Sequence, residues 1–439
     1  MKKVFVLMML LAPAAVFSQG ILNKLKNKIK DKTEQKAEQK VDKAIDKGLD
    51  KADQATKPGD KPKTPDAAPK EPVAAAPVTT PAAQSQAAPA GVKSNSRFDF
   101  IPGEQIVYTE NFEKEAIGEL PTGWNTTGTG EVVTLNNFPG KWLRVFQKSL
   151  YLTSNQKEFG ENYTVEFDVI MQLKDNGHFY PYFSFGFIGT NGEPAAGNDF
   201  LRNYRKYGSV EAVFYPADAG RSKMGIKTFN AGRVYYAGDD QTVGVLSDNF
   251  GKPMHIAIQV QKERLRIWAG QEKIFDAPKA IMLGNNMNQM IFEVHTATYK
   301  EDEYGMYLSN LKVAKGIPDT RHKLVDEGKF STTGILFDVN SDVIRPESFG
   351  VLKDIANVLK ENAGIKVKVI GHTDSDGDDQ KNLQLSQKRA AAIAKALQDS
   401  FGIDAARMQT DGKGETVPVG DNKTKEGKAL NRRVEFIKF

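Results

Sequence analysis

Gly371-His372-Thr373-Asp374 closes a run from Ile365 to Gly371 that is rich in Val and Ile and reads as a strand. Leu385-Ser386-Gln387-Lys388-Arg389-Ala390 follows inside a second element, Asn382 to Ser400. There Ala390, Ile393, Ala394 and Leu397 share one helical face, and Gly402 supplies a stop. Long side chains on a helix lean toward its N-terminus, so Arg389 is expected to lean back over the loop that begins at Asp374. An acid and an arginine then face each other across a shallow pocket at a helix start. Asp374 can accept from an ammonium group, and Arg389 can hold a carboxylate through two parallel bonds. Free backbone N–H groups at the helix start would add a second anion site. The arrangement suits a zwitterion. A plain salt bridge that pins the loop accounts for the same two residues.

Working outward, Gly334-Ile335-Leu336-Phe337 reads as a strand. Pro346 to Leu359 carries Phe349, Leu352, Ile355, Ala356 and Leu359 at helical spacing, with proline near its start. Met408 to Gly412 and Arg432 to Phe439 complete a β-α-β-α-β-β order. Strands joined by single helices build an α+β domain, one sheet with its helices on one side, over residues 331–439.

These elements, taken in order, resemble the OmpA-like peptidoglycan-binding domain of bacterial envelope proteins. The resemblance rests on Phe337-Asp338-Val339-Asn340-Ser341, Gly371-His372-Thr373-Asp374 and Asn382-Leu383-Gln384-Leu385-Ser386-Gln387-Lys388-Arg389-Ala390. It continues through Gly412-Lys413-Gly414-Glu415 with Pro418, and ends on Asn431-Arg432-Arg433-Val434-Glu435. Asp374 and Arg389 lie 15 residues apart, as in the family. The resemblance implies a ligand, the amine and carboxylate at the distal stereocentre of diaminopimelate in the peptidoglycan stem peptide. It assigns that ligand to Asp374 and Arg389, lines the pocket with Thr373, Asn382 and Leu385, and adds the positive charge of Arg432. The loop from Ser375 to Lys381 is more acidic than the family's commoner form, which affects the finer contacts.

The other end of the chain carries an address. Met1-Lys2-Lys3, the apolar run Val4 to Val16 and the small residue Ser18 read as a secretory signal peptide over residues 1–18. Residues 19–56 interleave opposite charges along a thin apolar stripe. They read as a partly helical stalk that either stands in solvent, self-associates or lies on a membrane. Residues 57–97 are rich in Pro and Ala and read as a disordered linker. An envelope location follows, in the periplasm or at the outer membrane.

Residues 98–316 change to short β-like runs. Val165-Glu166-Phe167-Asp168-Val169 alternates, as do Ile256 to Gln261 and Arg264 to Trp268, with turns expected at Lys262-Glu263 and Gly270-Gln271. This texture predicts an all-β sandwich. Tyr108 to Glu113, Leu120 to Trp124 and Met306 to Val313 resemble the entry and exit of concanavalin-like jelly rolls. A membrane barrel is the alternative. Trp124, Trp142, Tyr180, Tyr182 and Trp268 are candidates for a sugar-stacking platform or for the core.

Composition excludes other classes. The 439 residues contain no cysteine, so disulfides, thiolate metal sites and a lipid-anchored N-terminal cysteine are absent from this sequence. A net charge of +5, not gathered with aromatics into a motif, does not mark a nucleic-acid binder. His178, His255, His295, His322 and His372 form no pair at metal-ligand spacing, and His372 is expected to order its loop through hydrogen bonds. Asp374 to Asp379 looks like a calcium loop, but its glycine comes too early and Leu385 stands at the closing glutamate position. Glu166 and Asp168 match two carboxylates of a glycosidase strand, but the third is missing, so they read as the outward polar face of a strand. No cofactor and no enzymatic turnover are expected. The expected function is a structural tether between the outer membrane, or an envelope complex, and the wall. The alternative is a wall-anchored carbohydrate-binding protein acting through the sandwich.

Overall fold

The computed structural model describes residues 98–194 and 197–439. The expected signal peptide, stalk and linker lie outside the described residues. Among the described residues no helix is long and apolar enough to cross a membrane.

Two antiparallel sheets come first. One runs, in spatial order, Glu272–Ala277, Arg264–Ala269, Pro253–Gln261, Asn162–Leu173, Tyr304–Lys315, Phe138–Val145 and Gly130–Leu135, with Gln105–Glu110 also paired to Tyr304–Lys315. The other runs Arg233–Thr242, Lys223–Asn230, Gly208–Tyr215, Phe183–Gly189, Gln289–Val294, Ser149–Leu152 and Asn125–Thr126. Both sheets are open at their ends, so the barrel alternative fails. The alternation read in the sequence places Val165, Phe167 and Val169 in a core shared by the two sheets. There the Phe167 ring meets Phe185 and Phe292 at 5.1 and 5.3 Å. The turns at Lys262 and Gly270 fall where the pattern places them, with φ of 54° and 56°.

Residues Phe98 to Gly103 run across the outer face of the first sheet and on to the C-terminal part. Phe98 and Phe100 pack on Trp268, whose Nε1 donates to Asp99 at 3.0 Å. Ile101 packs against the C-terminal core. A Cβ on Gly350 would lie 2.2 Å from the Phe100 carbonyl oxygen, so the helix can approach this segment only with glycine there.

The C-terminal part is a four-stranded sheet in the order Lys329–Thr332, Val434–Lys438, Val367–His372, Met408–Gly414. Its one parallel pair, Val367–His372 with Met408–Gly414, is bridged by the helix Asp379–Phe401, because parallel neighbours need a crossover. Pro346 opens the first turn before the helix Phe349–Glu361. Val351, Ile355 and Leu359 join Ala390, Ile393 and Leu397 over Val367, Val369 and Phe436. Gly402 ends the long helix at φ 70°.

Two expectations are corrected. Gly334 to Phe337 is not a strand. The sheet takes Lys329–Thr332, where Phe330 enters the core, and only a bridge joins Phe337 to Ile344. The last two strands are not consecutive either, since the helix Lys425–Asn431 stands between them. Its seven residues are too few for a readable apolar stripe, and its cap at Thr424 was the only local signal.

Candidate functional site

The site forms where Val367–His372 ends. Gly371 and Gly412 let the long helix lie almost on the strands: a Cβ at Gly371 would sit 2.3 Å from the Ser386 carbonyl oxygen, and one at Gly412 2.4 Å from the Gln387 nitrogen. This close approach brings Arg389 to the mouth of the loop that begins at Asp374. Thr373 N–H donates to the Gly414 carbonyl at 2.9 Å. Asn382 Nδ2 donates to the carbonyls of Asp374 and Asp376, at 3.4 and 3.0 Å, and to Glu415 Oε2 at 2.7 Å. Asn382 is therefore a brace for the loop.

Asp374 and Arg389 do line one cavity, together with Thr373, Asn382, Leu385 and Arg432. They do not pair. Asp374, 7% exposed, takes a hydrogen bond from Asp376 N–H at 3.1 Å and an ion pair from Arg432. Arg389 Nε donates to the Ser341 carbonyl at 2.9 Å, and its guanidinium lies 4.8 Å from the centre of the Phe337 ring. It makes no ion pair among the described residues. Burial and the nearby Arg432 lower its proton affinity below the ordinary arginine value, against the weaker pull of Asp374 and Asp342. A guanidinium stays charged in a protein, so this is a cation whose surroundings favour an arriving anion.

The helix start offers no second anion site. Asp378 caps it, accepting from Lys381 N–H at 2.9 Å, and Asp379 follows in the first turn. The acidic loop has filled that position with its own carboxylate. His372 does not order the loop through its ring. Both ring nitrogens are buried without hydrogen-bond partners, and only its backbone N–H donates, to the Arg433 carbonyl at 3.0 Å. Burial first, then Arg433, push its pKa down to about 4.

Residues 336–432 match the OmpA family. The outer-membrane lipoprotein YfiB of Pseudomonas aeruginosa is 39% identical over 117 residues, 26% of this chain and 69% of that protein. The chain belongs to the OmpA family. The probable lipoprotein YiaD of Escherichia coli K12 is 46% identical over 102 residues, 23% of this chain and 46% of that protein. Outer membrane porin F of P. aeruginosa is 39% identical over 101 residues, 23% of this chain and 29% of that protein. The chain thus spans less than half the length of these two relatives. A solved structure described as the cell wall anchor of the T6SS from P. aeruginosa is 37% identical, covering 24% of this chain and 74% of that one, with a TM-score of 0.22.

The OmpA-family segment shares its cavity with the first sheet. Glu166 and Asp168 do sit on the outer face of their strand, as the alternation requires, but they are 3% and 2% exposed. Arg345 reaches Asp168 from the OmpA-family segment across the cavity. Arg345 donates to Asp168 at 3.2 and 3.4 Å, Asn310 Nδ2 donates at 2.8 Å, and His255 Nδ1 at 2.7 Å. Lys312 pairs with Glu166 at 2.8 Å. Burial disfavours both carboxylates, yet these cations outweigh it and hold both pKa values below the ordinary range. Two carboxylates kept ionised provide no proton donor for glycoside cleavage. A second contact ties Lys425 to Glu110 and Glu115 at 2.7 and 2.8 Å. No local pattern marks Arg345 or Lys425 as partners of residues more than 150 positions away.

His255 is held charged. Burial opposes its proton, but the hydrogen bond to Asp168 and the charge of Glu166, 3.4 Å away, outweigh this and raise its pKa to about 9. It binds the proton more tightly folded than unfolded, so its contribution to stability is complete below about pH 6.5 and is lost as pH rises through about 9. The thermal stability lead of the parent over His255→Gln is expected to shrink across that window. A gap that stays constant from pH 6.5 to 9 contradicts the assignment.

The aromatic platform is not assembled. Trp124, Trp142, Tyr180 and Trp268 are buried, and Tyr182 alone of the five is open to solvent. The fold also gathers residues that sequence spacing kept apart: Glu211, Glu293 and His295 offer ligand atoms within 4.8 Å of one another. Glu211 is already held by Arg205 at 2.6 Å and by the Tyr204 hydroxyl at 2.8 Å.

Proposed function

We propose that the protein binds peptidoglycan non-covalently through the diaminopimelate of the stem peptide, and thereby tethers the outer membrane or an envelope complex to the wall. The observation that carries this reading is Arg389, a half-buried guanidinium with no ion pair among the described residues, opening on the same cavity as the carboxylate of Asp374. The ligand carboxylate would complete Arg389 in a charge-assisted, two-bond geometry. The ligand ammonium would share Asp374 with Arg432. Leu385 and the Thr373 methyl would face the methylene chain. Binding and release require no chemical step, so the protein acts as a clamp and not as an enzyme. The two-sheet unit would be a jelly roll carried on the tether, with residues 98–316 and 331–439 as successive domains behind an exported leader.

Calorimetric titration of the full chain with free diaminopimelate tests this. Saturable binding is expected. Absence of binding both to diaminopimelate and to whole wall sacculi removes the reading.

One observation favours a second activity. The outer face of the second sheet carries a cleft of about 420 Å³ lined by Tyr182, Tyr215, Arg205, Glu211, Asp240 and His295. Aromatic rings beside paired polar groups suit a sugar. A glycan-binding screen in which Tyr182→Ala loses its hits would support a carbohydrate-binding role, and a screen without hits would dismiss it.

A further inference from the structure

The cavity beside Arg389 holds about 380 Å³, and its far wall is the outer face of the first sheet, with Glu166, Asp168, His255, Asn310 and Lys312. Asp168 is saturated by His255, Asn310 and Arg345. Two cationic donors on this wall keep spare capacity. His255 Nε2 has no hydrogen-bond partner among the described residues, with Glu166 Oε2 at 3.4 Å. Lys312 Nζ has three protons and one partner, Glu166. On the opposite wall the Thr373 hydroxyl, in a residue 5% exposed, is also without a partner. Buried polar atoms are nearly always satisfied in native proteins, so a cavity rimmed by unsatisfied ones is suited to a polar occupant. Glu166 Oε1 also lacks a hydrogen-bond partner but has Lys312 Nζ at 2.8 Å, so the charge left facing the occupant is that of an imidazolium N–H and an ammonium, which acceptors match. Free diaminopimelate clamped at one end between Asp374 and Arg389 spends that end's carboxylate on Arg389 and keeps one other, whose neighbouring ammonium is repelled by His255 and Lys312. The peptide that carries this amino acid brings further carbonyl and carboxylate oxygens.

We propose that the first sheet of the two-sheet unit is the second wall of the ligand pocket, with His255 and Lys312 donating to backbone carbonyl or carboxylate oxygens of the stem peptide. The pocket is then composite, and it reads the peptide as well as its diaminopimelate. This rests on the wall-binding reading.

The test is calorimetry of the full chain with two probes, free diaminopimelate and a stem tripeptide that ends in it. The parent is expected to bind the tripeptide about tenfold more tightly than the amino acid. Lys312→Met is expected to bring the two affinities within about twofold, the tripeptide losing more than the amino acid. The double variant Lys312→Met/Glu166→Gln, which leaves no unpaired carboxylate, is expected to behave the same way. Arg389→Ala is expected to lose both ligands. Equal affinities in the parent, a cavity filled by water alone, would overturn the proposal whether or not the variants fold. So would a ratio that Lys312→Met leaves intact. In either case the wall-binding reading stands. That reading falls instead if Arg389→Ala binds both probes like the parent.

Discussion

Arg389→Ala is expected to abolish sedimentation with wall sacculi while leaving the protein as stable as its parent. Truncating one side of a buried, hydrogen-bonded charge contact between partners costs about 2–5 kcal/mol of binding, at least a thirtyfold loss. Stability follows a different account. In the free protein this guanidinium makes no ion pair among the described residues, and the positive charge of Arg432 lies near it. Removing it forfeits one hydrogen bond to Ser341 and its place over the Phe337 ring, together about 1–2 kcal/mol, and relieves the burial and the repulsion from Arg432 that oppose its charge. Asp374→Ala should behave otherwise, because it strips Arg432 of its partner and the loop of the Asp376 hydrogen bond. A sacculus assay and a urea titration on the two variants separate these outcomes. Retained sedimentation of Arg389→Ala rules out its role in binding.

The second large effect is expected on the opposite wall of the cavity that Arg389 lines. Asp168→Ala should lower stability by about 3–5 kcal/mol, since it takes from the buried charges of His255 and Arg345 the carboxylate they share, leaving only Glu166 and Glu347, each at 3.4 Å. Arg345→Met should cost less, because Asp168 keeps His255 and Asn310. Urea midpoints at constant slope measure both. A loss below about 1 kcal/mol for Asp168→Ala would mean that the charges find solvent and that the two-sheet unit does not hold the OmpA-family segment through this contact. If the contact is as strong as its geometry indicates, a load on the OmpA-family segment passes into the first sheet through Asp168 and Arg345, and through Lys425 with Glu110 and Glu115.

Local periodicity was enough for most elements. The two-residue alternation of Val165 to Val169 and of Ile256 to Trp268 determined strands, their turns and which side chains meet the core. The apolar stripe of Ala390, Ile393 and Leu397 determined the long helix and, with Gly402, its end. The spacing of Asp374 and Arg389 likewise put both side chains on one cavity, because a strand end, a short loop and the first turns of a helix have nearly invariant geometry. Lys329–Thr332 and Lys425–Asn431 escaped because four and seven residues hold too little period to read, and long-range pairing and packing decide them. Tertiary structure alone decided the electrostatics. Asp374 takes Arg432 from 58 positions away, Arg389 makes no ion pair among the described residues, and Glu166 and Asp168 lie on a buried wall instead of a solvated strand face, Asp168 held by Arg345 and Glu166 by Lys312. The reason is physical. A side chain's periodicity is set by its own backbone, whereas its charge partner and its solvent exposure depend on which distant segment comes to rest against it.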